Sequence, residues 1–141
     1  MRVFFDTSVL VNVFVPGHEH HERSLHSFLA ADLSSGYCGA HCLAEVYAAL
    51  TRLPGKYRAA PEQAILCLEA VEERLNVVAL ETAEYISAIR EAAGLGIVGG
   101  ALYDALLGAC AVKAKADVLY TWNTRDFQRL GSNISGRIRT P

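Results

Sequence analysis

The chain has 141 residues, of which 52% are hydrophobic and 20% charged, with 13 Lys and Arg against 15 Asp and Glu for a net charge of -2. At roughly 100 to 200 residues per domain this predicts one domain over 1–141, and the apolar content with near-zero net charge excludes a disordered tail, a collagen-like repeat or a solvated acidic segment. Asp6 interrupts the apolar opening from Met1 to Phe5, which argues against a signal-peptide core, and no later run approaches the ~18 apolar residues of a membrane helix. The expectation is a cytoplasmic protein with no membrane contact.

Arg2 to Phe5 is apolar and aromatic, and Asp6, Thr7 and Ser8, all able to cap a helix, follow at once, so the chain opens strand, turn, helix. The apolar run Val9 to Val15 stops at Pro16-Gly17. A helix is predicted over 19–34, with Leu25, Phe28, Leu29 and Leu33 at helical spacing, then a short strand bracketed by Gly36 and Gly39. Leu43, Val46, Tyr47 and Leu50 mark a helix over 41–53 that Pro54-Gly55 ends. Pro61 opens another, over 61–76, followed by a strand over 77–80. Thr82 to Gly94 is helical and 94–100 is a glycine-rich loop. A helix over 101–116, a strand over 118–121, a short helix over 124–130 and a last strand over 137–139 complete the chain. Strands alternating with helices through short connections predict a three-layer α/β/α sandwich around a short, mostly parallel sheet whose strands are buried on both faces.

In such a sheet ligands bind beyond the carboxyl ends of the strands. Asp6 is placed there, as is the stretch Asn123 to Asp126. Glu45 lies on the helix after the second strand, and Asp104 lies in the first turn of the helix entered through Gly99-Gly100. Oxygen-bearing side chains from distant parts of the chain can thus converge, and oxygen-only clusters suit Mg²⁺ or Mn²⁺. Each also has an ordinary structural role: Asp6 and Asp126 as helix caps, Glu45 as a solvated helix residue. Asp104, beside Tyr103 and before Ala105-Leu106-Leu107, is a charge at the edge of a buried helix and calls for a counterion.

The run from Phe5 to Leu10, Glu45 within Leu43-Ala44-Glu45-Val46, the run from Gly99 to Leu107, and the run from Leu119 to Phe127 together resemble the PIN-domain ribonucleases, above all the VapC-type toxins of toxin–antitoxin pairs. The resemblance covers nearly the whole chain. It implies a PIN-like fold and a Mg²⁺- or Mn²⁺-dependent endoribonuclease that cuts structured RNA such as a transfer RNA or a ribosomal RNA loop. It also implies a cognate antitoxin, laid along residues 9–35 with a cation directed at the acids, and a homodimer. Carried over by position, Asp6 and Asp104 bind the metal and Glu45 completes the acidic site. The family's fourth acid lies two residues after the strand-ending Thr, where this chain has Asn123; the next acid is Asp126, and both stay candidates. Ser8 and Thr121 are candidate donors to the metal-binding carboxylates.

Arg52, Lys56 and Arg58 gather around one loop with Tyr57, and Arg125, Arg129, Arg137 and Arg139 lie near the C-terminus. Both groups are candidates to flank the acidic site and grip RNA phosphates. His18, His20, His21 and His26 with Glu19 and Glu22 form a solvated helix start, with no ligand from elsewhere indicated. The four cysteines include Cys38 and Cys42 around His41, but zinc spacing would need a second pair, so reduced core thiols are expected. A haloacid-dehalogenase phosphohydrolase also opens with a strand and an Asp, yet needs a second Asp where Ser8 stands. The other alternative is a non-catalytic PIN-like module that binds RNA or protein, which Asn123 in an acidic position would suit.

Overall fold

Parallel strands that are only two to four residues long hold this chain together by what they bury. The computed structural model describes residues 1–141. The elements are β1 (Val3–Phe5), α1 (Thr7–Val13), α2 (His21–Ala30), β2 (Gly36–Gly39), α3 (Ala40–Thr51), a 3-10 turn (Gly55–Tyr57), α4 (Pro61–Arg74), β3 (Asn76–Val78), α5 (Thr82–Gly94), α6 (Ala101–Lys113), β4 (Val118–Tyr120), α7 (Thr124–Gln128), α8 (Ser132–Ser135) and β5 (Ile138–Arg139). The sheet order is β3-β2-β1-β4-β5, and every pairing is parallel. Right-handed crossovers stepping from β1 to β2 to β3 put α1 to α4 on one face, and the reversed steps to β4 and β5 put α5 to α8 on the other. The strand order reverses between β1 and β4, which opens a crevice at their carboxyl ends.

β1 is central and alternates its rings between the layers. Phe5 meets Phe28 of α2 edge-on, centroids 6.3 Å apart, and tilts against Tyr120 at 5.6 Å. Phe4 faces the other layer, where a Cβ on Gly39 would stand 3.0 Å from Leu107 of α6 and 3.6 Å from the Phe4 ring. Both rings are fully buried, each worth about 1.5–3 kcal/mol of transfer free energy.

Departures from the predicted elements have local causes. The second helix covers His21–Ala30 because Ala31 turns extended and Asp32 accepts from the Ser34 backbone N–H and hydroxyl, an Asx turn that leaves Leu33 56% exposed. α4 stops at Arg74 because Leu75 is extended and Asn76 enters β3, its amide donating to the Leu33 and Gly36 carbonyls. Lys115, at φ 55°, follows the end of α6 before 116. β3 lies at the sheet edge with Val77 exposed, not buried on both faces. α8 was not foreseen, being too short to show a helical period.

Gly36 is packed on three sides: a Cβ there would overlap the Leu75 side chain and stand 3.1 Å from Ala31 Cβ and 3.2 Å from the Asp32 carbonyl. Gly36→Ala should therefore destabilise the protein by about 1–3 kcal/mol, read as a lowered denaturant midpoint. An unchanged midpoint would contradict this packing.

Candidate active site

Asp6 ends β1 and caps α1, and it is 2% exposed. Three hydrogen bonds fall on Oδ2: the Ser8 hydroxyl donates at 2.7 Å, the Thr121 hydroxyl at 2.8 Å and the Ser8 backbone N–H, more weakly, at 3.4 Å. Oδ1 receives none of these three, and it is not among buried oxygens left without a partner, since the chain has none. The same hydroxyls shape the loop after β4: Ser8 Oγ accepts from the Trp122 N–H at 3.0 Å and Thr121 Oγ1 from the Asn123 N–H at 2.9 Å. Asn12 braces Ser8 by donating to its carbonyl at 2.8 Å.

Two helices bring further carboxylates to this end of the sheet. Glu45 rides on α3, half-buried, where its Oε1 accepts from the Thr7 hydroxyl at 3.3 Å and lies 3.6 Å from His41 Nε2 one helical turn earlier. Asp104 is in the first turn of α6, which starts directly from Gly100 with no side-chain cap. Asn123, exposed, is the N-cap residue of α7, its carbonyl accepting from the Asp126 N–H. Asp126 is on α7 at the rim, 3.7 Å from Arg129.

Burial pushes the carboxyl pKa of Asp6 up against the lowering by the Ser8 and Thr121 hydroxyls. Burial also raises Glu45, with His41 pulling it down and Asp6 pushing it up. Asp104 is pushed up to about 7, first by burial and then by the charges of Asp6, Asp126 and Glu45. Asp126 thus lies close enough to act on Asp104. No Lys or Arg pairs with Asp6, Glu45 or Asp104. The donor set is all oxygen and negative, which suits a hard divalent cation. Nowhere do three or more His, Cys, Asp or Glu side chains crowd tightly enough to cage an ion by themselves. Mg²⁺ sites are commonly of that open kind, with one or two carboxylates and several waters.

The other candidates divide. Arg52 is within charge reach of Glu45, and Arg129 of Asp104. Lys56 lies over the Tyr57 ring at 5.4 Å, and both are exposed, as is Arg125. Arg58 holds its own loop, donating through Nε to the Leu53 carbonyl at 2.9 Å. Arg137 does not flank the acids: it donates to the Ala116 carbonyl at 2.7 Å, at the opposite end of β4, and Arg139 bonds carbonyls of its own segment. Cys38 and Cys42 are buried thiols, Cys42 donating to the Phe5 carbonyl, while Cys67 is only half-buried. His18 and His20 sit in the turn before α2, not on it. Thr7 and His41 went unread as partners of Glu45. The i, i+4 spacing of His41 was a usable signal, whereas Thr7 needed the fold.

A family model described as PIN domain matches residues 3–133. The chain belongs to the PIN-domain family. Within it, the chain is 37% identical over 124 residues to Ribonuclease VapC40 of Mycobacterium tuberculosis, covering 87% of this chain and 85% of that one. It is 34% identical over 135 residues to Ribonuclease VapC27 of the same organism, covering 92% of each. Solved structures share the fold. Mycobacterium tuberculosis VapC20, described as a sarcin-ricin loop cleaving toxin, superposes with a TM-score of 0.72 at 15% identity over 94% of this chain and 98% of its own. VapBC2 from Rickettsia felis, bound to a DNA fragment from its promoter, does so at 0.67 and 19% identity over 99% and 98%. The expected VapC-type PIN fold is thus found, with an all-parallel sheet.

The carboxyl of an unfolded Asp titrates near 3.9, that of folded Asp104 at about 7. Between these values the folded protein keeps a proton that the unfolded chain has lost. The associated stability is therefore full below about pH 4 and is lost as the pH rises through 7. In EDTA, Asp104→Asn should raise the melting temperature over wild type more at pH 8 than at pH 5. An equal offset at both would show that Asp104 carries no such shift.

Proposed function

We propose that this PIN-domain chain is a divalent-metal-dependent endoribonuclease, the toxin half of a toxin–antitoxin pair, hydrolysing phosphodiester bonds in structured RNA such as a transfer RNA or ribosomal RNA loop. The observation that carries this is the concentration of Asp6, Glu45, Asp104 and Asp126 at one crevice with no Lys or Arg paired to the inner three. Ribonuclease relatives at 34% and 37% identity support the reaction class, and a structural neighbour described as cleaving the sarcin-ricin loop supports an RNA loop.

Asp6, through Oδ1, and Asp104 would hold Mg²⁺ or Mn²⁺. Bound there, such an ion lowers the pKa of water and neutralises charge building up on the phosphate. Glu45, steadied by Thr7 and His41, is placed to accept a proton from attacking water, and its raised pKa suits that task. Ser8 and Thr121 fix the Asp6 carboxylate. Asp126 supplies the fourth charge and Asn123 a neutral donor beside it. Arg52, Lys56, Arg58 and Arg125, with Arg129, would grip flanking phosphates. Neighbours described as VapBC complexes support an antitoxin partner, and exposed Tyr85, Ile86 and Ile89 on α5 offer a face for a homodimer. No helix is long and apolar enough to cross a membrane, and RNA substrates of this kind place the work in the cytoplasm.

The purified, antitoxin-free protein should cut RNA in Mn²⁺ and not in EDTA, leaving a 5′-phosphate and a 3′-hydroxyl. Asp104→Asn should lower kcat at least about 100-fold with the fold intact. Cyclic phosphate ends would overturn the hydrolytic mechanism, and RNA binding without cleavage in Mn²⁺ would leave a non-catalytic module. Thr121→Val, nearly isosteric, should weaken Mn²⁺ binding by about 10-fold through loss of its hydrogen bond to Asp6. Unchanged affinity in a calorimetric titration would remove Thr121 from this role.

A further inference from the structure

Two stacked aromatic pairs stand around the acidic crevice, and they differ in how far each is used up by the fold. The Trp122 indole lies on the His20 ring, centroids 3.7 Å apart and planes 8° from parallel, with the Arg23 guanidinium 5.3 Å from the ring centroid. Its ring N–H donates to Ser24 Oγ at 2.9 Å and its backbone N–H to Ser8 Oγ. That pair is a tie between the loop after β4 and the turn before α2. Tyr103 is different. It precedes Asp104 on α6, its ring stacks on His41 of α3 with centroids 5.1 Å apart and planes at 22°, and it is 50% exposed. His41 in turn stands beside Glu45. The pair therefore bridges the two helices that deliver Glu45 and Asp104, with His41 3.6 Å from the Glu45 carboxylate and a half-exposed Tyr103 ring next in sequence to Asp104.

An RNA strand entering this crevice meets a difficulty that the aromatic pair answers. Its phosphates are repelled by the acids, and the cations shown to act on those acids are only Arg52 at Glu45 and Arg129 at Asp104, neither of them paired with its acid, so the nucleotide at the centre needs an attraction that does not depend on charge. Stacking supplies one: unpaired bases in RNA loops are held by Tyr and His rings, tolerantly of sequence because every base has a π face. A peptide cation, by contrast, would be drawn to the carboxylates themselves. We propose that Tyr103 and His41 form a base-stacking platform that holds an unpaired nucleobase next to the scissile phosphate. The proposal rests on the ribonuclease reading above.

The test compares binding of a fluorescein-labelled oligoadenylate with that of an abasic ribophosphate oligomer of equal length, in Ca²⁺ to suppress cleavage. The two probes carry the same backbone charge, so their affinity ratio reports base contacts alone, which a merely structural role for Tyr103 would not move selectively. Wild type should prefer the oligoadenylate by about 10-fold or more. Tyr103→Ala should lose most of that preference while binding the abasic oligomer as wild type does, and Tyr103→Phe, which keeps the ring, should retain it. Melting curves establish that both variants fold. A preference that survives Tyr103→Ala, or equal weakening toward both probes, overturns the platform while Mn²⁺-dependent cleavage by wild type leaves the ribonuclease reading standing. Unchanged oligoadenylate binding with a weakened antitoxin complex reassigns the pair to a protein partner and also overturns it. Failure of wild type both to bind oligoadenylate and to cut RNA overturns both readings together.

Discussion

The bonds from Ser8 and Thr121 to Asp6 Oδ2 join residues at the ends of the two central strands, and the rest of the crevice is arranged around them. A carboxylate in this position, nearly without solvent and without a paired cation, is expensive to keep charged. Hydroxyl donors on one oxygen offset part of that expense and fix the other oxygen's direction. The same hydroxyls accept the Trp122 and Asn123 backbone N–H groups, so the loop that leads to Asp126 is folded by the group that positions Asp6. One knot thereby ties strand pairing, the start of α1 and the rim of the site.

Around Asp6 the fold adds charge of the same sign. Gly39, whose missing side chain admits Leu107, lets α6 pack close to the end of β2 where α3 starts, and both helices carry a carboxylate within charge reach of Asp6. Burial first, and then the charges of Asp6, Asp126 and Glu45, push the Asp104 carboxyl up to about 7. Stability and the proposed function pull apart here: without an ion the protein gains by protonating the site, and a cation bound there would have to displace that proton. The unpaired charge is the physical feature on which the proposed cation site rests.

Much of this could be read along the chain, and the residues show why. Phe5-Asp6-Thr7 announces strand, turn and cap in adjacent positions, and Gly36, Gly39, Gly99 and Gly100 bracket elements visibly along the chain. Asp104, a charge entering an apolar helix, was conspicuous for the same reason. What could not be read lies in pairings across the sequence. Thr7 with Glu45, Tyr103 with His41 and Trp122 with His20 exist only once the sheet order is set. The end of α2 was overrun because Leu33 keeps the helical period that the Asp32 turn has already broken. Arg137 looked like part of a basic cluster, yet its guanidinium serves a carbonyl at the far end of β4. Charge counted along a chain does not say which end of a strand it faces.

The central claim, that a divalent ion takes the place of a proton held by the repelling acids, is tested most directly by counting protons. Calorimetric titration of the apo protein with Mn²⁺, in buffers of differing ionisation enthalpy, gives the number released per ion bound. With its carboxyl titrating at about 7, Asp104 alone should contribute about 0.9 proton at pH 6 and about 0.1 at pH 8, so release per ion should be larger at pH 6 than at pH 8. No release at pH 6, or no Mn²⁺ binding to wild type at either pH, would contradict the account.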